Sequence, residues 1–486
     1  MKRIIPLLLV LSLLLCSCNI EEVDVTSPPA EDAAAEEYKP DTDTFGVAFA
    51  SNESTNPYTT SNKLNIELMG LICEPLFSVS ESFAPTPVLC EDYTYSDLEY
   101  RLNIKSGVTF SDGTALRPSD VEYSLREAMA PGSYYASRLG VISSVSSSNK
   151  KGYVTIKLRY DNARLASLLD IPIIKSGTKD NLLPVGTGIY APKDDLSSLL
   201  LREGHHSGKT SKYSVIPMYD VSSSDELMFE FDTHNVSVYT SDPTGTNSSA
   251  PQSSVDRTNV PTTRLHYIVF NVRTGALADK TVRRAIARAI DRESAATSDF
   301  ALMGVPAALP VHPASAVYSE LAADPLAYDN ETPITVSEPL TILVNSENSG
   351  KLAACKRIAE TLTRLGAPTT VRALPYSEYT SALSGGDFTL AYAEVSIGAD
   401  FDITRLISGS LNYGGFSDAS MNAALAAYLA GDEGLGGYFR TFCDTVPFAP
   451  IMFKDTAMYT QENFFEKVTP SSQNVYYGFC DWVIKE

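Results

Sequence analysis

The residues of this chain whose types could do chemistry are scattered. The densest group lies in residues 107–129, GVTFSDGTALRPSDVEYSLREAM, where Ser111, Asp112, Thr114, Ser119 and Asp120 crowd around a glycine. A hydroxyl nucleophile needs a base within hydrogen-bond reach to take its proton. None is near in sequence, because the five histidines are His205, His206, His234, His266 and His312, and no two stand at a recognised catalytic spacing. Residues 204–210, GHHSGKT, look like a phosphate-cradling loop, but three residues separate the glycines where that loop needs four. The backbone N–H groups would be misdirected, so His205 and His206 read as solvated turn residues. There is no CxxC, no HExxH and no His-rich cluster, so neither a metal nor a cofactor is expected.

The elements that must position these residues explain the first group better than catalysis does. YRLNI, residues 100–104, alternates apolar and polar residues as a half-buried strand does, and VTF resumes it after Gly107. Asp112-Gly113 is a turn signal, since glycine tolerates positive φ and Asp bonds its own backbone. Pro118 suits a first helical turn, with Ser119 and Asp120 near the positive end of that helix. Val121, Leu125, Ala128 and Met129 then form one apolar helical face. The spacing predicts a turn that orients a hairpin and a helix.

The N-terminus sets the compartment. Lys2 and Arg3 precede IIPLLLVLSLLL, too short an apolar run for a comfortable membrane span but suited to a signal peptide over residues 1–17. Leu15-Cys16-Ser17-Cys18 resembles the bacterial lipobox, which implies lipid on the sulfur of Cys18. Residues 18–42 are acidic, rich in Ala and Pro and without an apolar face, the composition of a disordered tether. No other segment is apolar enough to span. The formal charge is −21, from 38 Lys+Arg against 59 Asp+Glu, which argues against a nucleic-acid partner. Locally, VRRAIARAIDRE predicts an amphipathic helix with Arg283, Arg284, Arg288 and Arg292 on its wet face. Apart from Cys16 in the signal and Cys18 at the lipid site, five of the seven cysteines remain; Cys73 can pair with Cys90 and Cys443 with Cys480, leaving Cys355, though sequence does not establish connectivity.

A series of motifs carries a family resemblance. Asn56-Pro57 follows a first strand, FGVAFA, and Cys73-Glu74-Pro75-Leu76 follows that. Next come YRLNIKSGVTFSDGTALRPSDVEYSL, PVGTGIY at residues 184–190, YIVFNVRTGALADKTVRRAIARAIDRE, GDFTLAYAEVSIGADFD and LNYGGFSDASMNAAL. In this order they resemble the extracellular solute-binding proteins of family 5, which serve peptide, nickel and related ABC importers. The resemblance implies an α/β, two-lobed periplasmic-binding-protein type II fold with an inserted subdomain in lobe I. The first lobe is expected over residues 43–76, 178–264 and 448–486, the insert over 77–177, and the second lobe over 265–447. It also implies capture of a small-molecule ligand, a peptide in first place, by lobe closure and delivery to a membrane permease. The protein would be a monomer held outside the cytoplasm by its lipid, and not an enzyme. A sensor or adhesin that kept the fold, and a peptide or cell-wall hydrolase, are the alternatives.

The resemblance also points to contacts. Peptide-binding relatives hold the ligand's α-amino group with an aspartate after the second crossover, and in SIGADFDI that aspartate falls on Asp400, preceded by Ser396 and Ile397. Ile397 replaces the family's tryptophan and Ile403 its usual proline. Tyr134 and Tyr135 resemble a cleft-lining segment of the insert, although packing on the subdomain surface would serve them equally. Ser61 and Asn62 stand in a loop that contributes contacts in relatives, and Asn412 and Tyr413 either join them or cap the following helix.

Overall fold

Two long strands, Val255–Phe270 and Phe448–Gln461, pair antiparallel along most of their length and run from one hydrophobic core into another. Their ends at residues 265–270 and 448–453 are almost continuously apolar, the pattern of a strand covered on both faces. Val260 and Met458 belong instead to the other core. Between the two ends the register shifts after Val260, where Pro261 cannot donate to the ladder. This computed structural model describes residues 41–245, 251–273, 275–315, 317–318, 326–432 and 435–485. The expected signal peptide, Cys18 and nearly all of the tether lie outside those residues. No helix among the described residues is long and apolar enough to cross a membrane.

The first core surrounds a 7-stranded sheet. In it Phe448–Gln461 lies between Val238–Ser241 and Val255–Phe270, followed by Leu390–Ser396, Leu340–Asn345 and Thr369–Leu374, with Gly304–Pro306 also on Phe448–Gln461. Leu340–Asn345 is parallel to both neighbours, so crossover helices such as Ser349–Arg364 must cover the sheet. That helix starts at Asn348, whose side chain accepts the N–H of Lys351.

The second core is shared by two sheets. One is Val47–Phe49, Val215–Asp220, Ser198–Leu201 and Tyr190–Pro192; the other is the antiparallel set Cys90–Ser96, Glu99–Ile104, Tyr153–Leu158 and Ile142–Ser148. Val47 of the first lies in the same cluster as Tyr100, Leu102, Val154 and Ile156 of the second. The segment expected as an insert is thus fused to its neighbour through one core.

The stretch at residues 107–129 is the turn and helix that its pattern predicts. Thr114 N–H donates to Asp112 Oδ1 at 3.0 Å, Gly113 sits at φ 82°, and Phe110 N–H reaches Thr114 O at 2.8 Å. The helix is Pro118–Met129, and Asp120 Oδ2 accepts the N–H of Arg117 at 3.0 Å.

Two expectations are overturned. The arginines of VRRAIARAIDRE do not form a wet face. Arg283 and Arg292 are buried; Arg283 donates to the carbonyls of Val446, Leu277, Ala278 and Thr445, and Arg292 to those of Pro450, Ala287 and Leu326. The planar guanidinium serves several carbonyls at once where the chain ends around it are short of donors. Only Arg284 and Arg288 reach solvent. Neither expected disulfide forms: Cys73, Cys90 and Cys480 are free thiols, as is Cys355. Cys73 and Cys90 sit in one apolar core that holds them without a bridge, and burial pushes the Cys90 thiol up to about 12.

Candidate functional site

Beyond Leu390–Ser396 the chain leaves the sheet, tied by Ile397 N–H to Thr263 O at 3.1 Å, and turns sharply. Phe401 N–H closes the turn onto Gly398 O at 2.9 Å with Phe401 at φ 57°, a conformation that costs an aromatic residue on the order of 1–3 kcal/mol. The turn sends Phe401 into the core, with ring centroids 5.8 Å from Phe83 and 6.5 Å from Phe453. It leaves Asp400 facing a cavity of about 240 Å³. Ser396, Ile397, Gly398, Asp402 and Arg405 line this side, and Ser137, Arg138, Val141 and Tyr160 line the opposite wall. The cavity therefore lies between elements of the two cores.

Asp400 is only 3% exposed. Its Oδ2 accepts Asn162 Nδ2 at 2.9 Å, its Oδ1 the N–H of Asp402 at 3.3 Å, and its carbonyl the hydroxyl of Tyr428 at 3.0 Å. Among the described residues it makes no ion pair. Burial, and then the neighbouring charge of Asp402, push its carboxyl up to about 7. Asp402 is held differently: Oδ1 accepts the Thr404 N–H at 2.7 Å in the turn that leads into the short helix Thr404–Ile407, and Oδ2 accepts the Tyr160 hydroxyl at 3.3 Å. Arg138 pairs with Asp170 at 2.7 Å and lies over the Tyr135 ring, 4.9 Å from its centroid. A cavity with a buried carboxylate served only by neutral donors is suited to a cationic group, because a cation would turn a desolvated charge into a charge-assisted pair.

Of the residues singled out in the sequence, Ser396, Ile397 and Asp400 come together here. Tyr134 is exposed, and Tyr135 is buried beneath Arg138 and lines a separate cavity of about 40 Å³. Asn62 caps the helix Lys63–Ile72 by accepting the N–H of Asn65 at 3.2 Å, with Ser61 exposed beside it. Asn412 braces its own loop through Ile407 O and both backbone groups of Phe416, Tyr413 packs partly buried on the core, and Asp418 caps Ala419–Ala430. Asn162, Tyr160 and Arg138 carried no sequence signal, since only the fold brings them to residues more than two hundred positions away.

His205 and His206 are not solvated. His205 is buried and His206 half-buried, and both face Glu74: His206 Nε2 lies 2.7 Å and His205 Nε2 3.6 Å from Glu74 Oε2. Burial raises the Glu74 carboxyl, but the hydrogen bonds and charge of the two histidines outweigh it and hold it at about 2. Where the sequence offers no metal-ligand spacing, the structure gathers three potential ligands.

A profile of the bacterial extracellular solute-binding proteins, family 5 (middle region), matches residues 84–409, more than half of the chain. The glutathione-binding protein GsiB of Escherichia coli K12 is 26% identical over 158 residues, a stretch that spans 30% of this chain and 31% of the relative. Three solved structures share the fold. The substrate-binding protein CtaP of Listeria monocytogenes superposes with a TM-score of 0.68 at 16% identity, covering 91% of this chain and 99% of that one. For NikZ of Campylobacter jejuni in complex with Ni(L-His) the TM-score is 0.59, also at 16% identity, with 91% and 99% covered. The oligopeptide-binding protein AppA of Bacillus subtilis, in complex with a nonapeptide, gives 0.57 at 16% identity, with 91% and 99% covered. Two cores joined by long strands, with the cavity between them, are thus the periplasmic-binding-protein type II fold, and the chain belongs to the bacterial extracellular solute-binding proteins, family 5.

Proposed function

We propose that this protein captures a short peptide by its free amino end and passes it to the membrane permease of an ABC importer. The observation that carries this reading is Asp400, a buried carboxylate at the cavity wall with hydrogen-bond donors but no cation among the described residues. The α-ammonium of a peptide would supply that cation, in a charge-assisted hydrogen bond worth roughly 1.5–3 kcal/mol. The cavity, at about 240 Å³, lies below the usual range for small-molecule sites of roughly 300–1,000 Å³, which favours a short ligand. Relatives named for glutathione and for a bound nonapeptide fit a peptide cargo.

Capture would proceed by hinge closure of the two lobes about the long strands, which desolvates the ligand and creates the surface a permease reads. Residues 43–76, 178–264 and 448–486 would move as one lobe with the segment 77–177, against 265–447. The lipobox-like Leu15-Cys16-Ser17-Cys18 supports an anchor at Cys18, and Cys18→Ala should then release the protein from the membrane fraction.

Calorimetry with di- and tripeptides and their N-acetylated forms tests the reading. Free peptides should bind the parent, Asp400→Asn should weaken them about tenfold or more, and acetylation should weaken them similarly with little further loss on mutation. Equal affinity of folded Asp400→Asn and parent for a free peptide would sink the amine-anchoring role.

A further inference from the structure

We propose that Glu74, His205 and His206 form a second binding site, separate from the solute cavity, for a divalent transition cation of the zinc type. None of the three lines that cavity. Glu74 follows the helix Lys63–Ile72, and the histidines stand in the loop between Ser198–Leu201 and Val215–Asp220, so the set exists only in the folded chain. Two imidazoles and a carboxylate are the donor set that borderline cations such as Zn²⁺ prefer, with a fourth position left for water.

The spacing is close to what such an ion needs. The three ligand atoms lie within 4.8 Å of one another. Donors around a tetrahedral ion at about 2.0–2.2 Å stand roughly 3.3–3.6 Å apart. His205 Nε2 is already 3.6 Å from Glu74 Oε2, and His206 Nε2, at 2.7 Å in a hydrogen bond, must open by less than about 1 Å. The two rings are neighbours, with centroids 4.4 Å apart, and each places Nε2 within 3.6 Å of the same carboxylate oxygen.

The surroundings fit a metal-bound histidine. His205 now donates Nε2–H to Thr187 O and accepts the N–H of Ser207 at Nδ1 across 3.3 Å, so ligation by Nε2 requires its proton to move to Nδ1, where Ser207 Oγ at 2.8 Å can accept it, the outer hydrogen bond that metal-bound imidazoles usually make. Nε2 now lies 2.9 Å from Thr187 O, and that carbonyl keeps the Arg202 Nη1 donor at 2.8 Å when His205 turns away. Thr187 Oγ1 is buried with no partner among the described residues, a polar atom that a water on the ion could serve.

Zn²⁺ titration of the mature chain by calorimetry, with thermal unfolding in parallel, tests this. The parent should bind one Zn²⁺ and unfold at a higher Tm with it, since a cation held only by the folded chain stabilises it. His205→Gln, His206→Gln and Glu74→Gln should each weaken Zn²⁺ about tenfold or more and lose the Tm rise. Metal-free circular dichroism identifies any variant that fails to fold, and Co²⁺ absorption of the parent, showing four-coordinate N/O bands, supplies a readout that needs no variant. Asp400→Asn should bind Zn²⁺ as the parent does, which separates this site from the peptide reading. No Zn²⁺-dependent heat or Tm shift in the parent, or unchanged affinity in folded histidine variants, overturns the proposal.

Discussion

Asn162 Nδ2 donates to Asp400 Oδ2 across 2.9 Å, although 238 positions separate the two residues. Asn162 is fully buried, and its own Oδ1 accepts Arg164 N–H at 2.9 Å, so its amide is fixed before it meets the carboxylate. The bond orients Asp400 but brings no positive charge. A neutral donor stabilises a buried carboxylate less than a cation does, so the carboxyl keeps its raised affinity for a proton.

The raised Asp400 carboxyl makes the ligand-free protein sensitive to pH. Unfolded, the group ionises near 3.8, and folded only near 7, so the folded state binds the extra proton between those values. Stability should therefore fall as pH rises from about 4 to about 7 and stay lowered above. Asp400→Asn removes this loss, so the variant should be more stable than the parent at pH 8, by on the order of a few kcal/mol, and nearly equal near pH 4. Urea denaturation at the two pH values checks it; a parent equal to the variant at pH 8 counts against the buried, ionised carboxylate. Peptide affinity should run the other way, weakening as pH falls from 8 to 6, because the ammonium needs the charged form.

Gly398 leaves room for the Asp400 side chain. A Cβ there would collide with Asp400 Oδ1 and stand 2.8 Å from Leu168 Cδ2. Gly398→Ala should push the carboxylate off Asn162 and weaken peptide binding about tenfold, a loss of about 1.4 kcal/mol. Unaltered peptide affinity in the folded variant would show that the position of this carboxylate does not matter.

Arg283 is a fold determinant. It holds four backbone carbonyls, among them Val446 O and Leu277 O at 2.9 Å, from a buried position. Arg283→Ala should cost roughly 3 kcal/mol or more, since each buried carbonyl left without a donor costs about 1–3 kcal/mol. Arg283→Lys should recover little, because an ammonium cannot span the same set. Arg284→Ala, which breaks the exposed pair with Asp444 and the half-exposed bonds to the carbonyls of Cys443 and Asp444, all at 3.2 Å, should cost less, about 1 kcal/mol. The urea midpoints of the three variants decide the matter, and a stable Arg283→Ala would refute the assignment.

The sequence by itself determined the family and most local structure. Turn chemistry at Asp112-Gly113, the start of the helix at Pro118 and the place of Asp400 after Leu390–Ser396 follow from residues close together in the chain, where propensity and spacing act directly. What it could not determine depends on contacts across long sequence separations. Helical periodicity placed Arg283 and Arg292 on a wet face, yet carbonyls from residues 445, 446 and 450 draw both inward. The paired cysteines looked bridgeable, but one apolar core buries Cys73 and Cys90 as free thiols. His205 and His206 read as turn residues until Glu74, more than a hundred positions earlier, came within hydrogen-bond reach. Asp400 was legible as a residue, but its burial and its bond to Asn162 were decided by two cores closing on one cavity, because desolvation and partner geometry belong to the fold and not to the local chain.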